Sequence, residues 1–303
     1  MPTLSHRSLC VTDIERSLRF YCDALDFVQT HRLADLEGPW LDRANGLAEC
    51  RIEVAGIHNL QGITLNLIAF AKPGPVGTTR RRQMFEIGPT HINFYVRDLD
   101  ATLARVRAAG GTVLEHTRID AEGVSMLYCT DPDGIRVELW TSNPYDAGGM
   151  ASAIPGVDIK FSHSGICVPD IARSLPFYEA LGFTAAERFD YRSPPGQLDR
   201  MSECEGSQLL AQMMRMKDDV VELLQYDHPP LIGARDGSPR PTNQIGLVNL
   251  AFHVESIDDL LPRLIGTGGS VIPESRSSWG PEEQIQCLDP DGVRIELVAA
   301  VAG

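Results

Sequence analysis

The chain has no apolar run approaching the length of a membrane span, no paired-cysteine motif and little concentrated positive charge. Each absence removes a class of function. Without about 20 consecutive apolar residues no helix can cross a bilayer, so no membrane partner is expected. The opening MPTLSHRSLCVTD lacks the basic patch and apolar segment of a secretory signal, which makes the cytoplasm the expected location. Seven cysteines (Cys10, Cys22, Cys50, Cys129, Cys167, Cys204, Cys287) are odd in number, scattered and free of C-x-x-C spacing. They read as reduced thiols, mostly small core residues. A formal charge of −14, with no basic run beyond Arg80, Arg81 and Arg82, would repel a phosphate backbone and argues against nucleic acid as a partner. The arginine run itself reads as solvated surface, with contact to a carboxylate or phosphate as the rarer role.

What is present is repetition. The 303 residues suffice for two domains, and a hydrophobic fraction of 43% with 22% charged residues is that of an ordinary globular protein. SHRSLCVTDIERSLRFYCDALDF (Ser5 to Phe27) returns as SHSGICVPDIARSLPFYEALGF (Ser162 to Phe183), matching His6 to His163 and Asp13 to Asp170. DPDGIRVELW at Asp131 returns as DPDGVRIELV at Asp289. Weaker echoes of each opening begin at Thr90 and Val248, so the tandem duplication resolves into quarter-units. Every quarter opens with an alternating strand and a turn carrying Asp. Apolar residues then recur at helical spacing, as in Ile14, Leu18 and Tyr21. Gly110-Gly111 and Gly268-Gly269 read as helix stops. Short strand-like runs follow, so each quarter reads β-α-β-β-β. Lys72 to Pro89 and Asp227 to Gly246 are Pro/Gly-rich linkers, and Asn143 to Asp158 divides the halves. The fold class is α+β, with domains at 1–145 (modules 3–71 and 89–142) and 158–303 (modules 160–227 and 247–300).

Period-two alternation sorts each strand into faces. Ile135, Val137 and Leu139 share one face, leaving Glu138 opposite; Ile295 and Leu297 likewise leave Glu296. In THINFYV the apolar face is Ile92, Phe94 and Val96, leaving His91, Asn93 and Tyr95. Asn66 and Glu222 face away from their strands' apolar sides, and His6 and His163 open the first strand of each half. Any one of these alone is an amphipathic strand with its polar side in water. Their recurrence at matched positions favours ligand chemistry. Two imidazoles and two carboxylates converging from four strands suit one divalent ion, Ni, Zn, Mn or Fe(II), with open positions for substrate.

These motifs (H-x4-V-x-D at His6 and His163, VELLQY, THINFYV and both DPDG-x-R-x-E-L runs) resemble the vicinal oxygen chelate superfamily, the glyoxalase, bleomycin resistance and extradiol dioxygenase fold, over nearly the whole chain. The resemblance implies four βαβββ modules in two glyoxalase-like domains with curved mixed sheets and a metal on the concave side. It supplies a ligand pattern in which the first half offers His6, Asn66, His91 and Glu138, and the second His163, Glu222, Asn249 and Glu296. Asn66 stands where the pattern has Glu, and Asn249 where it has His. Glyoxalase-like pairing across the halves joins His91, Glu138, His163 and Glu222 and sends both asparagines to a second site. Dioxygenase-like pairing within a half leaves His6, His91 and Glu138, a facial triad. The cross-half set is the more economical, because both departures then fall in one site.

The resemblance implies a metal-dependent lyase, isomerase or epimerase that removes a proton beside a chelated carbonyl of a small-molecule substrate, with Glu138 or Glu222 as base. A homodimer is compatible with it. The alternatives are a ring-cleaving Fe(II) dioxygenase, suggested by Tyr128 before Asp-Pro although His116 lies too far upstream, and a metal-free binding protein. Trp40 and Trp279 read as loop residues that wall a ligand or cover core. Met201, Met213, Met214 and Met216 read as core fillers.

Overall fold

Four copies of one supersecondary unit build the chain in a computed structural model, which describes residues 2–61, 63–121, 123–141, 155–217, 219–233 and 237–301. The first unit runs β1 (Thr3–Cys10), α1 (Ile14–Leu18) passing into a π-helical turn (Arg19–Ala24), β2 (Val28–Glu37), α2 (Pro39–Asn45), β3 (Arg51–His58) and β4 (Thr64–Lys72). The second runs β5 (Gly88–Val96), α3 (Leu99–Ala108), β6 (Thr112–Val113), a 3-10 turn (Glu115–Thr117), β7 (Ile119–Ala121), β8 (Val124–Thr130) and β9 (Arg136–Trp140). The third runs β10 (Ile159–Cys167), α4 (Ile171–Leu181), β11 (Thr184–Asp190), α5 (Asp199–Ser202), β12 (Gln208–Met216) and β13 (Asp219–His228). The fourth runs β14 (Gly246–His253), α6 (Ile257–Gly266), β15 (Ser270–Trp279), β16 (Glu282–Leu288) and β17 (Arg294–Ala300). The β-α-β-β-β order read from the sequence is therefore present in each unit. Short helices α2 and α5, and β7 with its 3-10 turn, are additions inside what read as plain strand connections. Residues 143–154 of the boundary segment and the Trp279 side chain lie outside the described parts. No helix among the described residues is long and apolar enough to cross a membrane.

Each first helix starts where a short polar side chain accepts a backbone N–H: Asp13 from Arg16, Asp98 from Ala101, Asp170 from Ala172, and in the fourth unit Ser256 from Asp259. Gly110 (φ 86) and Gly268 (φ 92) follow α3 and α6 in the left-handed region that ends a helix.

The two sheets are shared between the halves. One has the order β15-β16-β17-β14-β1-β4-β3-β2, the other β11-β12-β13-β10-β5-β9-β8-β6, with β7 beside β8. Within a unit the first and last strands pair in parallel, as β5 with β9 and β10 with β13. Between units the first strands pair antiparallel, β1 with β14 and β5 with β10. The cores under the helices are divided the other way. Phe20, Tyr21 and Phe27 of the first unit pack with Phe94, Val106 and Leu139 of the second, and Phe177, Tyr178 and Phe183 with Phe252, Leu264 and Leu297. Edge-to-face contacts repeat between the two cores, Phe27 to Phe94 at 6.0 Å and Phe183 to Phe252 at 6.0 Å. Helix burial thus holds each half together, while sheet pairing locks one half to the other.

The repeated D-P-D-G turns reinforce the helix-side join. Asp131 accepts the N–H groups of Asp133 and Ile135 and the Tyr21 hydroxyl at 3.2 Å; Asp289 accepts those of Asp291 and Val293 and the Tyr178 hydroxyl at 2.8 Å. The next aspartates bind the start of the same first helix: Asp133 takes Thr12 and Arg16, and Asp291 takes Arg173 and Ser174. These turns clip the last module of each half to the first.

Candidate metal centre

Pairing β5 with β10 brings His91 and His163 onto one face at the middle of the nine-stranded sheet, and the parallel neighbours β9 and β13 add Glu138 and Glu222. The imidazole Nε2 atoms lie 3.2 Å apart. Glu138 Oε2 is 3.3 Å from His91 Nε2 and 3.7 Å from His163 Nε2; Glu222 Oε2 is 3.6 Å and 3.3 Å from the same atoms. Thr90 Oγ1 and Ser162 Oγ each sit 3.0 Å from the neighbouring Nδ1. In the tautomer where Nδ1–H donates to the hydroxyl, both Nε2 lone pairs face the carboxylates. Lone pairs converging at hydrogen-bond distance need protons or a cation between them, and this donor set fits a divalent ion. His91, Glu138 and His163 present ligand atoms that all lie within 4.8 Å of one another.

The backbone explains why the rings fit. Gly165 pairs with His91 across β10 and β5, and a Cβ there would lie 2.1 Å from the His91 Cε1 atom. The imidazole occupies the space a side chain would fill. Asn93 Nδ2 donates to Glu138 Oε2 at 2.8 Å and fixes that carboxylate. Burial alone would raise the Glu138 pKa; with both imidazoles protonated in the absence of an ion, the hydrogen bond from His91 and the charges of His91 and His163 outweigh it and hold the carboxyl down at about 2. Glu222 is less enclosed, its side chain 16% exposed against 6% for Glu138.

The centre opens into a cavity of about 90 Å³ lined by Met84, Tyr128, Trp140, Met201, Met213 and Tyr226, among others. Its charged or imidazole lining groups are Glu138, His163 and Glu222; among the described residues no Arg or Lys lines it. Met201 and Met213, read from the sequence as core fillers, are buried as that reading expects and also line the cavity, whereas Met214 and Met216 fill the core of the second half. Tyr226 and Trp140 were legible by alternation from Glu222 and Glu138 along their strands. Met84, in a linker without periodicity, carried no such signal. At the rim Glu203 accepts from Arg81, Arg136 and His116, so Arg81 is paired rather than solvated. Arg82 is buried against Glu86 and the carbonyls of Ile87 and Pro89.

His6 lies in the other sheet. With Asn66, Asn249 and Glu296 it lines a second cavity of about 450 Å³, which Trp40 also walls. The within-half triad of His6, His91 and Glu138 is therefore not assembled, because β1 pairs with β14 and not with β5. In this second cavity Asn249 and Gln286 both donate to Glu296 Oε2 at 2.9 Å. Where Gly165 faces His91 in the first sheet, Ser8 faces Asn249 here, so the glycine and the imidazole are absent together. Burial lowers the His6 pKa against the opposing charge of Glu296.

Repeated βαβββ modules and sheets shared between the halves define the class of fold, and a two-His, two-Glu cluster sits on one sheet face. The family model described as the Glyoxalase/Bleomycin resistance protein/Dioxygenase superfamily matches residues 3–139 and 160–297, and the chain belongs to that superfamily. Glyoxalase I from Zea mays has the same fold at 16% identity, with a TM-score of 0.67 over 99% of this chain and 92% of that one. A putative dioxygenase from Bacillus subtilis shares it more loosely, at 13% identity and a TM-score of 0.55, over 99% and 86%. In sequence the chain is 23% identical over 203 residues to a lactoylglutathione lyase of Schizosaccharomyces pombe. That match covers 62% of this chain and 62% of the yeast protein, so the chain spans about three fifths of that relative's length.

Proposed function

We propose that the protein is a divalent-metal-dependent lyase, isomerase or epimerase that moves a proton at the carbon beside a carbonyl of a compact, largely apolar substrate. The observation carrying this reading is the convergence of His91, His163, Glu138 and Glu222 at 3.2–3.7 Å. These residues would hold the ion, which when bound supplies Lewis-acid polarisation of the substrate's oxygens. Glu138, pinned by Asn93 and shielded, is suited to remain an ionised ligand. Among the described residues no side-chain amide donates to Glu222 as Asn93 does to Glu138, and Glu222 borders the cavity, so its carboxylate is the one suited to take the proton and return it. The Met, Tyr and Trp walls exclude water and position the substrate by shape.

The lining also bears on the substrate. A glutathionyl group carries two carboxylates, and a cavity of about 90 Å³ without Arg or Lys among its described lining residues offers them neither room nor countercharge. That favours a small uncharged hydroxycarbonyl or thioester over a tripeptide adduct. The aromatic walls would equally suit a catechol ring, which keeps ring cleavage as the second reading. Incubating metal-loaded protein with small α-hydroxycarbonyl compounds in deuterated water separates the two. Deuterium entering the carbon beside the carbonyl, and lost in Glu222→Gln, is the expected result. Oxygen consumption with catechols and no such exchange would replace the proposal by ring cleavage.

A further inference from the structure

Away from the metal centre, comparing the two halves exposes a charge without its counterpart. Arg136 and Arg294 occupy the same place in the two D-P-D-G-x-R turns, and each Nε donates to a linker carbonyl, that of Arg82 at 3.0 Å and of Arg240 at 3.1 Å. Both are buried, at 1% and 8% exposure. Arg136 is answered by the carboxylate of Glu203, the left-handed residue (φ 52) that closes α5. The run Leu-Asp-Arg-Met-Ser-Glu ending there aligns with Leu-Asp-Arg-Ala-Asn-Gly at the end of α2, where the left-handed residue is Gly46 (φ 64). The carboxylate has become a hydrogen atom. Arg294 has no acidic partner among the described residues, and burial lowers its pKa with no neighbouring acid opposing it.

The space follows the charge. Arg294 lines a cavity of about 230 Å³ together with Arg82, Arg240, Glu86 and Gln244, whereas the equivalent cavity beside Arg136 is about 20 Å³. Among the described residues Arg240 Nη1 is buried without a hydrogen-bond partner. Its carboxylate neighbour Glu86, at 3.8 Å, is already held by Arg82 at 3.0 Å. Asp291, also in the lining, is taken by Arg173 and Ser174. A buried guanidinium is costly unless an anion compensates it, and this cavity holds more guanidinium charge than free carboxylate. We propose that it binds a small oxyanion, a carboxylate or phosphoryl group, which does for Arg294 what Glu203 does for Arg136. The cavity shares no lining residue with the one beside the metal centre, so the ligand is not the substrate of that centre.

Calorimetric titration of the metal-loaded protein with inorganic phosphate, and separately with acetate, at constant ionic strength tests this. Wild type is expected to bind saturably, and Arg294→Gln to bind about tenfold more weakly or not at all. Gly46→Glu supplies the missing carboxylate in a backbone conformation that Glu203 already adopts, with nothing within 4 Å of the new Cβ. It should weaken binding as much while leaving the fold intact. Preference for phosphate would assign a phosphoryl ligand, and preference for acetate a carboxylate. Absence of saturable binding by wild type, or equal binding by wild type and both variants, would overturn the proposal.

Discussion

Three residues make sharp predictions at the smallest scale. Gly165 leaves the space that the His91 ring fills, since a Cβ on that glycine would stand 2.1 Å from Cε1 of the ring. Gly165→Ala should therefore turn His91 off its position and lower metal affinity by about 10- to 100-fold with little loss of fold, measurable by competition with a chromogenic chelator. Glu138 and Glu222 should separate by role. Glu222→Gln is expected to lower kcat by about 100-fold or more while retaining much of the metal, and Glu138→Gln to lose the metal first. The donor types were legible in the sequence because alternation put His91, Glu138, His163 and Glu222 on polar faces. Gly165 was not, since a glycine in a strand announces a close approach without saying what approaches. Nor were the wall residues Met201 and Met213, whose apolar character fits core and cavity equally.

The elements carry a pH dependence of their own. Glu203, at the end of α5, ties that helix to the linker through Arg81 and to β9 through Arg136. Burial works to raise its pKa, but hydrogen bonds from Arg81, Arg136 and His116 prevail and bring it from 4.5 down to about 2. A carboxyl whose folded pKa is depressed stabilises fully above its unfolded value and loses that contribution as pH falls towards the folded one. Acidification from pH 5 to 2 should therefore remove on the order of 2 kcal/mol at this link, and thermal unfolding of Glu203→Gln should show a shallower decline over that window. The four β-α-β-β-β orders were readable from periodicity, caps and glycine stops. The helices α2 and α5 were not. Each spans less than two full heptads of pattern, inside loops where Pro, Gly and polar residues mask the spacing.

For the whole molecule, the duplication is built so that neither half can complete the site. The helix-side cores are drawn mainly from one half each, with Ile159 and Phe161 of β10 reaching into the first, whereas each sheet, and the cluster at its centre, takes strands from both. Periodicity identifies a face but is silent on which face it meets, so two pairings stood open in the sequence; the antiparallel register of β5 with β10 decides between them. Metal binding should accordingly stabilise the join of the halves. At a free ion concentration 100 times Kd the gain is about 2.7 kcal/mol, and chelator treatment should lower Tm by several degrees in wild type and much less in His163→Ala. The most direct test of a metal centre shared between the halves is elemental analysis of anaerobically purified wild type beside His163→Ala and His6→Ala. One divalent ion per chain is expected in wild type and in His6→Ala, with loss of that ion in His163→Ala. An ion retained in His163→Ala and lost in His6→Ala, or a wild type that binds none, would contradict a centre built on His91, Glu138, His163 and Glu222.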